Sequence, residues 1–327
     1  MNIATIGTNW ITESFIEAGK LADDFHLYAV YSRDDKKAKE FADKHRADTY
    51  YDDLEKMFSD EKLEGVYIAS PTRYHAEQAI MAMEKGKHVI CEKPLCSNAR
   101  EAEKLMETAE KHNVIFMEAI KTLYLPSIQT LQQWLPKVGT VRKAIFSFCQ
   151  YSSRYDAYLN GEVLNAFKPS LSNGATMDIG VYCLHPLLYL FGEPRSVKAS
   201  GYVLDSGVDG EANVLLDYEK MDAVASYSKI TASSGPSEIQ GEKGTLYIQT
   251  IHRPEKITFV PIKGETEEIE FSTDEPAMYY EAKHFVDACK KIKADNLNWD
   301  NSKLVIQHTD RIRDQLGVVF DADDTFV

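Results

Sequence analysis

Short apolar runs alternate with amphipathic segments over the first 120 residues of the chain. The amphipathic segments repeat their apolar positions at helical spacing, as in Ala102, Leu105, Met106 and Ala109. Strands that alternate with helices indicate parallel βαβ units, so this half predicts an α/β fold with a doubly wound parallel sheet. The apolar runs are Ile3–Ile6, Leu27–Tyr31, Val66–Ala69, His88–Cys91 and Val114–Met117, and the helical segments are Trp10–Gly19, Asp35–His45, Tyr74–Glu84 and Asn98–His112.

The pattern changes after Met117, where the apolar runs become longer and turn sequences separate them. Turns such as Glu219–Asp222 and Gly241–Gly244 predict hairpins. We therefore predict two domains, residues 1–120 and 121–327, the second an α+β domain with a large, mostly antiparallel open sheet. Its predicted strands are 141–151, 196–202, 212–218, 223–230, 245–249 and 257–261, and its predicted helices are 126–136, 174–191, 278–293 and 302–316.

The composition and net charge of the chain bear on which classes of molecule the protein binds. The 327 residues are 44% hydrophobic and carry a net charge of −14, which argues against nucleic acid and anionic membrane surfaces, because both attract basic proteins. The five cysteines have no CxxC spacing and the histidines form no metal-ligand pair, so we expect free thiols, no metal and a reducing cytoplasm. The first residues enter a strand directly, and we expect no signal peptide.

The loop after the first strand stands where a dinucleotide fingerprint would stand. Of the three glycines in GxGxxG, only Gly7 is present, with Asn9 and Thr12 at the other two positions. Asn is the residue after glycine that most readily takes a left-handed backbone, so the loop can still form. A pyrophosphate would bind the amides of Gly7, Thr8, Asn9, Trp10 and Ile11. The alternative is an ordinary turn between a strand and a helix.

The end of the second strand bears on the choice of cofactor. An NAD site commonly has an acidic residue there, which binds the ribose 2′-hydroxyl. This chain instead has Ser32 and Arg33, followed by Lys37, and a hydroxyl with cations suits the 2′-phosphate of NADP. NADP is therefore the preferred cofactor, with NAD possible. Asp34 is either a misaligned acidic partner or a helix cap.

The segment His88–Asn98 reads as a buried strand that ends at Glu92 and Lys93, turns at Pro94 and enters a helix capped by Ser97 or Asn98. In an open parallel sheet, ligands bind beyond the carboxyl ends of the strands. Lys93 is thus placed for chemistry. The alternative is a solvated charged turn.

Several segments together resemble the Gfo/Idh/MocA family of oxidoreductases. They are Val66–His75, Gly86–Pro94 with its Glu-Lys-Pro sequence, Gly174–Tyr182 and Gly241–Leu246. The resemblance implies an N-terminal Rossmann domain, a C-terminal domain whose open sheet builds the substrate site, and hydride transfer between NAD(P) and a hydroxyl or carbonyl carbon of a sugar, polyol, diol or related small compound. It also implies a homodimer or homotetramer formed through that sheet.

The resemblance also assigns residues. It places Lys93 beside the nicotinamide and the reacting hydroxyl, with a Lys93–Pro94 bond that is often cis. The sequence Asp178-Ile-Gly-Val-Tyr182 looks like the dihydrodiol dehydrogenase and glucose–fructose oxidoreductase branch, where the tyrosine is a proposed proton donor. The further cofactor-binding residues that it implies are Ser70, Pro71, Thr72, His75 and Glu92, and Thr72 departs from the asparagine common there.

We hypothesise that Tyr182 exchanges the proton, that Lys93 lowers its pKa, and that Asp178 orients Lys93 or a substrate hydroxyl. Lys93 as the acid/base is the alternative. Asp178 and Tyr182 are four residues apart and would share a helix face. His185, Tyr124 and Arg154 are candidates for substrate binding, against the alternatives of a core histidine, a packing residue and a solvated cation.

Two other functions fit the resemblance. One is a glycosidase that uses tightly held NAD, and the other is a cofactor-binding regulator without chemistry. The complete set of Lys93, Asp178 and Tyr182 favours a dehydrogenase over both.

Overall fold

The computed structural model describes residues 1–272, 274–291 and 298–324. Contacts divide the chain into two compact units. The first contains residues 1–121 and the described part of 274–300, and the second contains residues 122–272 and 301–324. The described residues 274–291 and 298–300 thus belong to the same unit as the first 121 residues.

The first unit has a six-stranded sheet in the order β3-β2-β1-β4-β5-β6, in which every pair of neighbours is parallel. Its strands are β1 (Asn2–Ile6), β2 (His26–Tyr31), β3 (Thr49–Tyr51), β4 (Gly65–Ile68), β5 (His88–Glu92) and β6 (Phe116–Ala119). Its helices among the first 121 residues are α1 (Trp10–Gly19), α2 (Asp35–His45), α3 (Leu54–Phe58), α4 (His75–Glu84) and α5 (Ala99–His112).

The predicted parallel sheet is confirmed. Its inner strands are buried along almost their whole length, because helices cover both faces of such a sheet. The predicted helices Trp10–Gly19 and Asp35–His45 have the observed bounds. The sequence pattern missed β3 and α3, which are only three and five residues long.

The second unit has an eight-stranded sheet in the order β14-β13-β12-β11-β7-β10-β9-β8. Among its described neighbouring strands only β7 and β10 are parallel, so the predicted mostly antiparallel sheet is confirmed. The strands are β7 (Val141–Cys149), β8 (Ser196–Val203), β9 (Asp209–Asp217), β10 (Asp222–Ser228), β11 (Ser237–Gly241), β12 (Gly244–Ile248), β13 (Lys256–Pro261) and β14 (Glu267–Glu270).

The remaining helices are α6 (Pro126–Trp134), α7 (Tyr155–Leu159), α8 (Val181–Phe191), α9 (Met278–Lys291), α10 (Trp299–Leu316) and α11 (Asp321–Asp324). Helix α9 packs on α1 in the first unit. The last two residues of the predicted helix 278–293 lie outside the described residues.

The structure differs from the predicted elements of the second unit in several places, and β14, α7 and α11 were not predicted. The turn at Gly241–Gly244 joins β12 to β11, a strand that was not predicted because it is half polar, whereas Glu219–Asp222 joins β9 to β10 as predicted. The predicted helix 174–191 begins with a π-helical turn, Thr176–Gly180, and becomes α-helical at Val181. Single π-turns within helices frequently occur at functional sites.

Candidate functional site

The loop after β1 depends on a glycine and an asparagine. Gly7 has a φ of +115°, and a Cβ atom there would lie 2.9 Å from the carbonyl oxygen of Ala69, so a side chain would collide with backbone. Asn9 is extended, with a φ of −103°, and its side chain accepts hydrogen bonds from the amides of Ile11 and Thr12. The expectation of a left-handed Asn9 is wrong. Asn9 instead acts as the N-cap of α1.

This loop suits the approach of a dinucleotide phosphate. Gly7 lies two residues before Asn9, the N-cap of α1, and the helix dipole favours an anion at this N-terminus. Thr8 is half-buried, while Trp10 is 67% exposed. The residues present therefore fit a bound NAD(P) pyrophosphate without the second and third glycines.

The end of β2 presents cations to solvent. Asp34 caps α2 by accepting a hydrogen bond from the Lys37 amide at 3.1 Å, which confirms the helix-cap interpretation of Asp34. Ser32 accepts a hydrogen bond from the amide of Asp34 at 3.3 Å. Arg33 and Lys37 are exposed, and within the described ranges no carboxylate forms an ion pair with either. Two cations and a hydroxyl at this edge suit a 2′-phosphate.

A buried histidine braces the turn that carries Lys93. The Lys93–Pro94 bond is cis. His75 is 1% exposed, and its Nδ1 and Nε2 atoms lie 3.0 Å from the carbonyl oxygen of Pro94 and 2.8 Å from that of Ser70. Burial lowers the pKa of His75, although the hydrogen bonds to both carbonyls oppose this effect. His75 thereby links the segment Ser70–Thr72 to the Lys93 turn.

The strand that ends at Lys93 has buried carboxyl groups beside it. Glu92 is 8% exposed and accepts a hydrogen bond from the Tyr67 hydroxyl at 2.7 Å. Burial raises the pKa of Glu92, although Tyr67, Lys93 and Lys121 oppose the increase. Glu281 of α9 is fully buried, and neither of its carboxyl oxygens has a hydrogen-bond partner among the described residues. Burial and then the charge of Glu92 raise the pKa of Glu281 well above 4.5.

In the second unit, a buried aspartate holds the π-turn. Asp209 is fully buried and accepts hydrogen bonds from the Thr176 amide at 2.6 Å and the Thr176 hydroxyl at 2.7 Å. The same hydroxyl lies 2.8 Å from the Tyr227 hydroxyl. Gly174 has a φ of +143°, and a Cβ atom there would lie 2.2 Å from Asp209 Oδ1. The turn therefore requires glycine at this position and an acceptor at Asp209.

Asp178 lies inside this π-turn and is paired. Its Oδ2 atom is 2.7 Å from the Lys229 ammonium. The Asp178 side chain is 34% exposed and that of Lys229 is 3% exposed. Lys229 thus lies beneath Asp178, a contact that the sequence did not indicate.

Tyr182 follows at the first turn of α8. Its ring makes edge contacts with Phe148 and His252, with centroids 5.7 and 6.0 Å away. The rings of Phe148 and His252 stack at 4.2 Å. Tyr182 is therefore oriented by aromatic neighbours from β7 and from the β12–β13 connection.

The three further candidates for substrate binding differ in exposure. His185 is fully buried, and its Nδ1 atom lies 3.0 Å from the side-chain amide nitrogen of Asn301. Tyr124 is half-buried. Arg154 is exposed and directly precedes α7.

Sequence reasoning missed Lys229, Asp209 and His252. Lys229 is the last residue but one of the predicted strand 223–230. A lysine inside an apolar run is a weak signal of a buried charge, because lysine is almost never buried unpaired. The sequence contained no signal for Asp209 or His252, since their partners lie far away along the chain.

Two kinds of feature are absent from the described ranges. No group of three or more His, Cys, Asp or Glu side chains is arranged there to hold a metal ion. Every helix in those ranges is too short or too polar to traverse a lipid bilayer.

Family models match both halves of the chain. Residues 1–120 match the GFO/IDH/MocA oxidoreductase family with an NAD-binding Rossmann fold, and residues 128–247 match the GFO/IDH/MocA C-terminal domain.

Individual relatives agree with these matches. The chain is 48% identical to a scyllo-inositol 2-dehydrogenase (NADP(+)) of Bacillus subtilis (strain 168), over 99% of both proteins. It is 28% identical to a trans-1,2-dihydrobenzene-1,2-diol dehydrogenase of Xenopus tropicalis, over 96% of this chain and 100% of that one. A levoglucosan dehydrogenase solved with NADH and levoglucosan has the same fold, with a TM-score of 0.87 at 18% identity over 97% of both chains.

Proposed function

Because the chain belongs to the GFO/IDH/MocA family of oxidoreductases, we propose that it is an NADP-dependent dehydrogenase whose substrate is a cyclic polyol of the inositol class. The observation that carries this proposal is the 48% identity, over 99% of both chains, with an NADP-dependent scyllo-inositol 2-dehydrogenase. In the oxidising direction a secondary hydroxyl becomes a ketone, the carbon gives a hydride to NADP⁺, and the hydroxyl gives a proton to the protein.

The first unit holds the cofactor. The segment Gly7–Ile11 surrounds the pyrophosphate, and Ser32, Arg33 and Lys37 bind the 2′-phosphate. When bound, the nicotinamide accepts or returns the hydride. The residues beside it are Ser70, Pro71, Thr72, His75 and Glu92.

The chemistry belongs to Lys93 and Tyr182, with Asp178. Tyr182 takes the proton of the reacting hydroxyl, and Lys93 donates a hydrogen bond to the same oxygen, which favours the alkoxide character that precedes hydride loss. Lys93 as the proton acceptor is the alternative. Asp178 binds a substrate hydroxyl, because its side chain is one-third exposed while Lys229 holds it from below.

His185, Tyr124 and Arg154 have smaller proposed roles in substrate binding. The full burial of His185 and its bond to Asn301 suit a residue that supports α8, so any contact with substrate would be made by the half-buried Tyr124 or the exposed Arg154. We rank both below Asp178.

We also propose a cytoplasmic homodimer or homotetramer. Leu215 and Tyr247 belong to one cross-strand row of the eight-stranded sheet and are 43% and 37% exposed, and Val260 is exposed on the same face. Exposed apolar side chains on a sheet face favour association. The five free thiols suit a reducing compartment.

The test is a turnover screen. NADP⁺ reduction is measured with scyllo-inositol, myo-inositol, glucose, levoglucosan and a trans-dihydrodiol, and NADPH oxidation with the matching ketones. We expect the highest kcat/KM with an inositol. A clear preference for an open-chain or aromatic substrate would contradict the polyol assignment, and retained cofactor with no net turnover would favour the glycosidase.

The cofactor assignment has its own test. Arg33→Ala removes a cation from the proposed 2′-phosphate site, so the KM for NADP⁺ should rise about tenfold or more, as expected for the loss of one charge-assisted contact. The KM for NAD⁺ should stay nearly constant. Arg46→Ala, which removes an exposed arginine at the end of the same helix, is the matched control.

A further inference from the structure

Lys229 is a buried lysine that the proposed chemistry does not use. It follows the last residue of β10 and is 2% exposed. Its backbone is tied on both sides, because its amide donates to the Gly210 carbonyl at 2.9 Å and its carbonyl accepts from the Ser152 amide at 2.8 Å. These two backbone hydrogen bonds therefore fix the position of its Cα atom at the end of β10.

The ammonium group of Lys229 is also fixed in direction. It lies 2.7 Å from Asp178 Oδ2, donates to the Ala166 carbonyl at 3.2 Å, and lies 5.1 Å from the centre of the Phe167 ring. A buried ammonium is stable only when its hydrogens find acceptors and its charge finds a partner. Asp178 supplies the charge, while Ala166 and Phe167 complete the shell.

The pair is asymmetric in its access to solvent. Lys229 is buried, whereas one-third of the Asp178 side chain remains exposed. A small molecule that reaches this surface therefore meets the carboxylate and not the ammonium. The ammonium still acts on the carboxylate, because an opposite charge at this distance stabilises the anion.

The backbone under Asp178 is held by a separate network. The buried Asp209 accepts two hydrogen bonds from Thr176, and Thr176 contacts the Tyr227 hydroxyl. Thus Asp209 fixes where the π-turn lies, and Lys229 fixes where the Asp178 side chain points. A proton-exchanging base would have to lose its charge in each cycle, and a buried ammonium beside it opposes that loss.

We propose that Lys229 is a positioning residue that keeps Asp178 as a permanent anion, so that Asp178 accepts a hydrogen bond from a second hydroxyl of the substrate, adjacent to the one that is oxidised. This inference rests on the proposed polyol dehydrogenase function. It makes the enzyme selective for vicinal diols, because a mono-alcohol leaves the anchored carboxylate without its donor, and an unpaired polar group in a site is costly.

The experiment compares trans-1,2-cyclohexanediol with cyclohexanol as substrates of the wild-type protein and of variants. Lys229→Met keeps the length of the side chain and removes its charge. We expect its KM for the diol to rise about tenfold or more, as for the loss of one charge-assisted hydrogen bond, with a smaller change in kcat and an unchanged Kd for NADPH. The ratio of kcat/KM between diol and mono-alcohol should fall.

Three further variants separate positioning from general damage. Lys229→Arg retains the charge and should restore part of the diol preference. Lys229→Met combined with Asp178→Asn should be no worse than Asp178→Asn alone, since the two residues act as one unit. Lys256→Met removes another lysine of the same sheet that pairs with carboxylates, Glu268 and Glu270, and should leave the ratio unchanged.

The outcomes are distinct. A wild-type protein that oxidises no polyol contradicts the proposed function, and the inference falls with it. If the wild-type protein is active and a folded Lys229→Met variant keeps the same diol preference, the role of Lys229 is wrong, while the proposed function still stands. If Lys229→Met does not fold, Asp178→Asn decides, because an unchanged diol preference in that variant leaves Lys229 nothing to position.

Discussion

The two turns that carry the proposed catalytic residues each lie beside a fully buried carboxyl group. The two carboxyl groups differ in their hydrogen-bond partners. Glu281 lies near the Lys93 strand and has no hydrogen-bond donor among the described residues. Asp209 lies behind the Asp178 turn and accepts two hydrogen bonds from Thr176, with Lys229 nearby. Both pKa values are raised by burial, but in Asp209 the Thr176 donors and then Lys229 oppose the increase.

The two turns are therefore stabilised by different kinds of contact. The Lys93 turn is held by His75, whose ring nitrogens lie against two carbonyl oxygens, and by Glu118, which accepts a hydrogen bond from the Leu95 amide at 3.0 Å. Burial raises the pKa of the neighbouring Glu281. The Asp178 turn is held by a hydrogen-bonded carboxylate below it and a buried cation beside it. The first arrangement suits a turn whose own residue, Lys93, brings the charge, and the second suits a turn that must present an anion.

The largest expected effect comes from removing the reactive groups that the two turns carry. Lys93→Met and Tyr182→Phe should each lower kcat by about 10² to 10⁴-fold, the range for loss of acid–base catalysis, while NADPH still binds. The pH dependence of kcat distinguishes the two assignments, since the residue that exchanges the proton is the one whose removal flattens the profile. Near-normal turnover in both variants would contradict both assignments.

A smaller effect should follow from breaking the support of the Asp178 turn. In Asp209→Asn, the Thr176 amide and hydroxyl lose an anionic acceptor, so we expect a loss of about 1.5 to 3 kcal/mol in the free energy of unfolding, as for hydrogen bonds to charged groups. Urea denaturation measures this loss. The control is Asp205→Asn, at an exposed residue four positions before Asp209. An equal change in both variants would mean that Asp209 does not support the turn.

The smallest effect should come from Glu281, and its size depends on pH. The unfolded chain ionises Glu281 above about pH 4.5, whereas the folded protein retains the proton because the pKa is raised. Its contribution to stability is therefore complete below pH 4.5 and is lost as the pH rises toward the folded-state pKa.

Glu281→Gln removes this dependence. The variant should gain stability relative to the wild-type protein at pH 8, and the gain should shrink as the pH approaches 4.5. Melting temperatures of both proteins across this range measure the difference. Glu107→Gln, on the exposed side of α5, should show no such trend, and a pH-independent gap for Glu281→Gln would mean that the folded protein ionises it.

The sequence pattern predicted most of the local structure because burial along a strand or helix is periodic in the chain. The helices Trp10–Gly19 and Asp35–His45 follow from this periodicity, and apolar runs indicated every strand of the parallel sheet except β3. It did not predict β11, whose burial comes from its neighbours β7 and β12. It also did not indicate that the described residues 274–291 and 298–300 group with the first unit.

For the candidate site, the chain by itself determined the sequence Glu92-Lys93-Pro94, the spacing of Asp178 and Tyr182, and the cations at the end of β2, because each of these is a local pattern with a chemical meaning. Only the tertiary structure decided that Lys229 lies under Asp178, that Asp209 holds Thr176 and that Glu281 is buried with no hydrogen-bond donor among the described residues. These depend on contacts between residues far apart in the chain, such as Lys229 and Asp178. Sheet order and backbone direction bring such residues together, and neither is encoded in the residues that meet.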